Sequence, residues 1–232
     1  MHNHARLWTA MLATNIAKAD WYTMSRWMYY YLLDGDLASN TLSWQWVAGT
    51  LIQKRYLVPQ ASINLFAQPA EQGTFLDVDE STLPHLSLPT SLAASQPFTF
   101  RTEYGPSDHI ESVAGKTVCL YSPWTIDPLW RRDLVAERIF VIEPSVFDEF
   151  PVSHQVYEHM LSFVRTHLPD AQVYVGNIET IPGIDQATVF MKDHPAFKYP
   201  QATRDPIERL FPHVTGYHQS FFKFWQACQG TV

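Results

Sequence analysis

Four short runs rich in β-branched residues fall in the second half of the chain: KTVCLY (116–121), RIFVIEP (138–144), AQVYVGN (171–177) and ATVFMKD (187–193). Each is too short for a buried helix and is bounded by turn residues, so each reads as a buried strand. Between the second and third lies SHQVYEHMLSFVRTH (153–167). Ser153 can cap it, and Val156, Met160, Phe163 and Val164 recur at helical spacing. Strand, helix and strand in this order form a βαβ unit, which predicts a mostly parallel sheet. YHQSFFKFWQAC (217–228) predicts a terminal helix.

The first half has a different texture. Residues 4–33 read as helix, with ARLWTAMLATNIA followed by WYTMSRWMYYYLL and Asp20 placed to cap the second stretch. The segment Asp34 to Asn40 breaks the pattern. A short helix then carries Trp44 and Trp46 and stops near Gly49. Residues 51–76 read as irregular. Pro and Ser dominate 81–113 with no period, as in a linker. The expected organisation is therefore α+β overall: helical 1–80, linker 81–113, and an α/β domain over 114–232.

Composition narrows the function classes. The chain has 232 residues, 46% of them hydrophobic and 17% charged, enough for a packed core. A net charge of -7 argues against indiscriminate attraction to nucleic acid or acidic membranes, though a local basic site remains compatible with it. Two cysteines, Cys119 and Cys228, make neither a disulfide framework nor a four-cysteine zinc cage, and fit a reducing compartment. No run approaches the roughly 18 apolar residues of a membrane span, and MHNHARLW has no signal core. The expectation is a cytoplasmic protein without a membrane partner.

The most chemically unusual stretch is DGDLASNTLSWQW (34–46). It sets Asp34, Asp36 and Asn40 beside Trp44 and Trp46. Buried carboxylates need partners, and two tryptophans do not suit a solvated loop. A ligand with polar edges and apolar faces satisfies both halves.

Three blocks in order, HNHARL (2–7), Asp20-Trp21 and DGDLASNTLSWQW, resemble the FAD-binding helical domain of the photolyase/cryptochrome family. The resemblance covers residues 1 to about 68. It implies FAD as cofactor, with Asp34 paired to Arg6 along the flavin's polar edge and Asp36 accepting from the ring or ribityl arm. It puts Asn40 opposite flavin N5, where an amide can serve either redox state, and Asn3 at another flavin-proximal position. Trp44 and Trp21 match two members of the family's electron-transfer relay. Trp46 matches the wall of the cavity that takes a flipped pyrimidine dimer, since extruded bases stack on flat side chains. His4 stands where the family has arginine, Leu7 where it has methionine, and Leu42-Ser43 where it has two glycines.

The implied activity is light-driven electron transfer from reduced FAD to repair pyrimidine dimers, a lyase reaction with damaged DNA as partner. Alternatives are a cryptochrome-like blue-light photoreceptor and a non-catalytic relic or interaction module without FAD. The family's phosphate-binding loop and third relay tryptophan are expected upstream, so a missing amino-terminal half or a homo-oligomer would complete the helical part. The α/β part, Rossmann-like, is expected to gather Glu143, Ser145, Asp193 and His194 at the carboxyl ends of its strands. No glycine-rich fingerprint calls for a second nucleotide. His2 and His4 lack acid or cysteine partners nearby, so no metal is expected. Lys54-Arg55 could meet a DNA phosphate, but solvated charge is the commoner role.

Overall fold

The computed structural model describes residues 1–68 and 70–230. The chain forms two compact units, one of residues 1–105 and 145–163, the other of residues 106–144 and 164–232.

In the first unit α1 (Asn3–Ala10) runs directly into a π-helical segment, Met11–Ile16. The helical stretch read over 4–33 divides after it, with Asp20 capping the second helix as expected. Lys18 adopts a left-handed φ of 60°, and Asp20 starts a new helix, α2 (Trp21–Tyr31), by accepting from the Thr23 N–H at 2.8 Å. The π segment carries Asn15 inward, 3% exposed, where its Nδ2 donates to the carbonyls of Val47 and Tyr56, each at 2.8 Å. Sequence periodicity could not anticipate a π segment whose Asn15 is held by that distant pairing.

α3 (Leu37–Ala48) is capped by Asp36, whose Oδ1 accepts from Ser39 N at 2.6 Å. It ends at Gly49, with φ 76°. A Cβ there would stand 3.0 Å from Arg55 N, so glycine answers both the left-handed backbone and the close return of the chain. Residues 51–76, expected to be irregular, contain a short helix, α4 (Gln60–Asn64). The core of this unit comprises Ala10, Met11, Ile16, Met28, Trp44, Val47, Leu76 and Leu83. Within 81–113 only two 3-10 turns form, Leu83–His85 and Thr90–Leu92, yet Leu83, Thr102, Ile110 and Val113 are buried.

The second unit holds a five-stranded, all-parallel sheet: β1 (Thr117–Tyr121), β2 (Glu137–Ile142), β3 (Gln172–Val175), β4 (Thr188–Lys192) and β5 (Thr203–Asp205). The order is β3-β2-β1-β4-β5, with Leu120 paired to Ile139 on one side and Met191 on the other. β1, β3 and β4 lie within the expected runs, and β2 starts one residue before its run, at Glu137. The three-residue β5 carries no β-branched run, and Asp205 anchors it by accepting from Trp130 Nε1 at 2.7 Å and Arg131 Nε at 2.6 Å. Val118, Leu120, Ile139, Val141, Val189 and Met191 alternate onto one buried face, packed with Ile110, Val113, Ile178 and Phe197.

α5 (Pro144–Glu149) and α6 (His154–His167) follow β2. Ser153 Oγ accepts from Val156 N at 3.3 Å. The buried face of α6 is Tyr157, Leu161 and Val164 rather than the expected Val156, Met160, Phe163 and Val164, and Phe163 is 43% exposed. The helix rotates to bury the larger Tyr157, whose hydroxyl accepts from Gly105 N at 3.1 Å. The terminal helix is α7 (Phe221–Gln229). Among the described residues no helix is long and apolar enough to cross a membrane.

Candidate functional site

A pocket in the first unit has a cavity volume of about 80 Å³. Its lining follows helical spacing. Asn3, Arg6, Leu7 and Ala10 supply one face of α1, and Ser39, Asn40, Ser43 and Trp44 one face of α3, with the Asp36 cap in line. Asp34 and Met28 complete it. Five of the eight site residues expected from the sequence line it: Asn3, Arg6, Asp34, Asp36 and Asn40. Trp44 joins them.

One edge of the pocket is ionic. Arg6 donates to Asp34 Oδ2 at 2.6 Å, and the guanidinium holds the Asp34 carboxyl below the usual carboxylate range. Arg6 is also fixed by its Nε donating to the Met1 carbonyl at 3.0 Å. Gly35 allows the tight turn between the two acids, since a Cβ would stand 3.2 Å from Leu32 O and 3.3 Å from the Tyr29 ring. Burial, with the Asp36 charge nearby, pushes the Tyr29 phenol up and keeps it neutral.

The other side is apolar. Trp44 is 1% exposed and its Nε1 has no acceptor among the described residues, an orphaned donor in a packed interior. Asn40 is buried and its Nδ2 donates to the Ser25 carbonyl at 2.8 Å. That bond assigns the amide and leaves the side-chain oxygen, an acceptor, for a ligand. A polar rim, an apolar floor and unmet donor capacity fit a flat heteroaromatic ring. They fit a diphosphate less well, because Arg6 is the one cation in the lining and it is already paired.

Two expected residues lie elsewhere. Trp21 packs against the core, its ring 5.7 Å from Tyr22. Trp46, 36% exposed, leans on Tyr56 at 5.1 Å, because two residues along a helix turn it to the side opposite Trp44. His4 also stands outside the pocket, 4.5 Å from the Phe66 ring and stacked on Trp8 at 5.8 Å. Ser39, Ser43 and Met28 were missed by sequence reasoning. Ser43 was legible from its spacing, one turn after Asn40. Leu42, the other half of the substituted glycine pair, is 53% exposed.

The sheet's carboxyl ends carry anchored rather than convergent groups. Glu143 Oε1 accepts from Ile178 N at 3.4 Å, and burial pushes its carboxyl up. Asp193 pairs with Arg204 at 3.3 Å, and His194 stacks on Trp124 at 4.9 Å. Ser145 belongs to α5. Sequence reasoning missed the Lys192–Asp127 ion pair, which links the buried Lys192 at the end of β4 to the loop after β1. Among the described residues no three His, Cys, Asp or Glu side chains gather closely enough for a metal ion.

Comparison with known proteins bears on the helical unit. Residues 1–82 match the family described as the FAD binding domain of DNA photolyase. The similarity to that family is thus confined to the helical unit. FAD is that family's cofactor. A deoxyribodipyrimidine photo-lyase of Streptomyces griseus is 48% identical over 50 residues, covering 22% of this chain and 11% of the relative. The deoxyribodipyrimidine photo-lyases of Escherichia coli K12 and Salmonella typhimurium LT2 are each 42% identical over 50 residues, with the same coverage. The chain thus aligns with about a tenth of the length of these photolyases. No solved structure matches the chain.

Proposed function

We propose that this chain is a photolyase-like flavoprotein whose helical segment holds FAD for light-driven electron transfer in the repair of pyrimidine dimers in DNA. The observation that carries the reading is the pocket itself: residues of the matched segment, dispersed between Asn3 and Trp44, line one cavity with an ionic edge and an apolar floor. Reduced FAD, when bound, supplies the electron; the protein's part is to bind, orient and keep water out.

The Arg6–Asp34 pair would face the ring's polar edge, where the held carboxylate accepts and the guanidinium balances it. Asp36 would accept from the ring or its ribityl arm. Asn40, its nitrogen tied to Ser25, would offer its oxygen to a protonated ring nitrogen, which favours the reduced cofactor. Asn3 adds a further polar contact. Trp44 and Trp21 would carry electrons inward to restore that state, and Trp46 would stack an extruded lesion. The α/β part over 114–232 would be a separate domain. One observation favours a module that keeps the fold without FAD: the single lining cation is already neutralised by Asp34.

The test is to measure the flavin-to-protein ratio of the chain and of Arg6→Ala after saturation with FAD, then blue-light repair of a dimer-containing oligonucleotide. The proposal expects flavin retention that is lost in Arg6→Ala, and light-dependent repair. A chain that retains no flavin overturns it. Retained flavin without repair overturns the repair step and favours the photoreceptor reading.

A further inference from the structure

The apolar stripe of α7 is covered at one end only. Phe221, Phe224, Trp225 and Cys228 recur at helical spacing on one face, and Ser220 starts the helix by accepting from Lys223 N at 3.3 Å. Cys228 is fully buried, whereas Phe221 is 77% and Trp225 41% exposed. A second wall comes from the turn that carries Leu210, Phe211 and Val214, in which Val214 N donates to Phe211 O at 3.1 Å. The two walls enclose a groove with a cavity volume of about 530 Å³, inside the range of roughly 300–1,000 Å³ common for small-molecule sites.

The chemistry of this groove is one-sided. Arg209 is its one charged lining residue, and it forms no ion pair among the described residues. No Asp or Glu follows Glu208 in the sequence, although the chain as a whole carries a net charge of -7. The polar side-chain groups of the lining, the Arg209 guanidinium and the Trp225 indole N–H, are donors, and no lining side chain is an acceptor. Behind the Phe224 wall, the ring of His218 stands edge-on at 5.3 Å with its shielded Nε2 unpartnered among the described residues. The rings themselves offer no parallel slot: Phe211 meets Trp225 at 85°, and Phe221 meets Phe224 at 48°.

We propose that this groove binds an amphiphilic carboxylate, an aliphatic chain ending in a single carboxylate group. The carboxylate meets Arg209, and the chain lies along Val214, Phe221, Phe224 and Trp225. A flexible chain follows tilted rings that a flat ligand cannot stack between. A nucleobase would bring amino and ring N–H donors into a lining without a side-chain acceptor, where they go unpaired. A cationic amphiphile would meet Arg209. The site lies in the second unit and does not depend on the flavin reading.

The experiment titrates the full chain by calorimetry with octanoate, decanoate and dodecanoate, each below its aggregation concentration, with decanol and decyltrimethylammonium as controls. One site per chain is expected, with affinity rising roughly fourfold for each added methylene and weaker binding of both controls. Arg209→Gln should weaken decanoate roughly tenfold while keeping the gain per methylene. Leu210 is 88% exposed, so its replacement leaves the fold intact. Leu210→Glu should abolish decanoate binding, and Leu210→Lys should tighten it. The Trp225 indole N–H resonance, identified by its loss in Trp225→Phe, should shift as decanoate is added. Equal affinity for decanol and decanoate, or decanoate binding unchanged in Leu210→Glu, overturns the proposal. Binding to phosphatidylcholine vesicles without binding to monomeric decanoate also overturns it, and assigns the exposed rings to a lipid surface instead.

Discussion

Asp36 Oδ1 closes the first turn of α3 through Ser39 N, and the same side chain lines the pocket. Two substitutions separate these roles. Asp36→Ala removes cap and carboxylate together and should cost about 1 kcal/mol of stability. Asp36→Ser keeps a capping oxygen and removes only the charge, so its urea midpoint should stay near that of the parent while flavin retention falls. Retention unchanged in Asp36→Ser would remove Asp36 from the binding edge. Asp34 gives a pH prediction. Its carboxyl is held low chiefly by the hydrogen bond from Arg6. A lowered carboxyl contributes above its unfolded value, and the contribution is lost as pH falls through the folded one. The Asp34 side chain is 68% exposed, so the effect on stability should stay under about 1 kcal/mol. Flavin retention should therefore fall on acidification below the ordinary aspartate range before the fold does. Asp34→Asn should abolish that step in a titration of retained flavin against pH. The acids and Asn40 were legible because they cluster in sequence; Met28 was not, because it reaches the pocket from another helix.

At the scale of elements, one buried amide ties the helical unit together. Asn15 bonds the carbonyls of Val47 and Tyr56, fixing the end of α3 to the strand of chain that returns after Gly49. Val47 O keeps a second donor, Tyr56 N at 3.0 Å, when Asn15 is removed. Tyr56 O would lose its bond in a half-buried setting, so Asn15→Ala should cost about 1 kcal/mol. The expected readout is a lower urea midpoint with an unchanged slope. A shift within error would mean that the π segment is held by apolar packing alone. Elements with a local cause were readable in advance: strands β1 to β4 from their β-branched runs, and α3 from Asp36 and Gly49. Those with a distant cause were not. The π segment answers to Val47 and Tyr56, β5 answers to Arg131 and Trp130, and the rotation of α6 answers to Gly105. The pairing of Arg6 with Asp34 across 28 residues was legible only through resemblance, since a lone arginine near a carboxylate is usually a surface pair of little energy.

At the scale of the whole molecule, charge decides what part of a dinucleotide the chain can hold. The lining of the pocket carries Arg6 against Asp34 and Asp36, one positive and two negative charges, a formal sum of -1. The chain around it sums to -7. A diphosphate brings two further negative charges, and the two helix N-termini at this cavity already carry side-chain caps, His2 on α1 and the anionic Asp36 on α3. The ring, by contrast, meets two helix faces, an orphaned indole N–H and a held carboxylate. The 232-residue chain should therefore bind riboflavin at least as tightly as FAD, and FAD binding should strengthen with salt as like-charge repulsion is screened. Calorimetric titration of both ligands at low and high ionic strength measures this directly. Preference for FAD, weakening with salt, would mean that cations outside the pocket reach the phosphates. In that case Lys54 and Arg55, in the segment that returns to meet Trp46 and Tyr56, would be the first to replace.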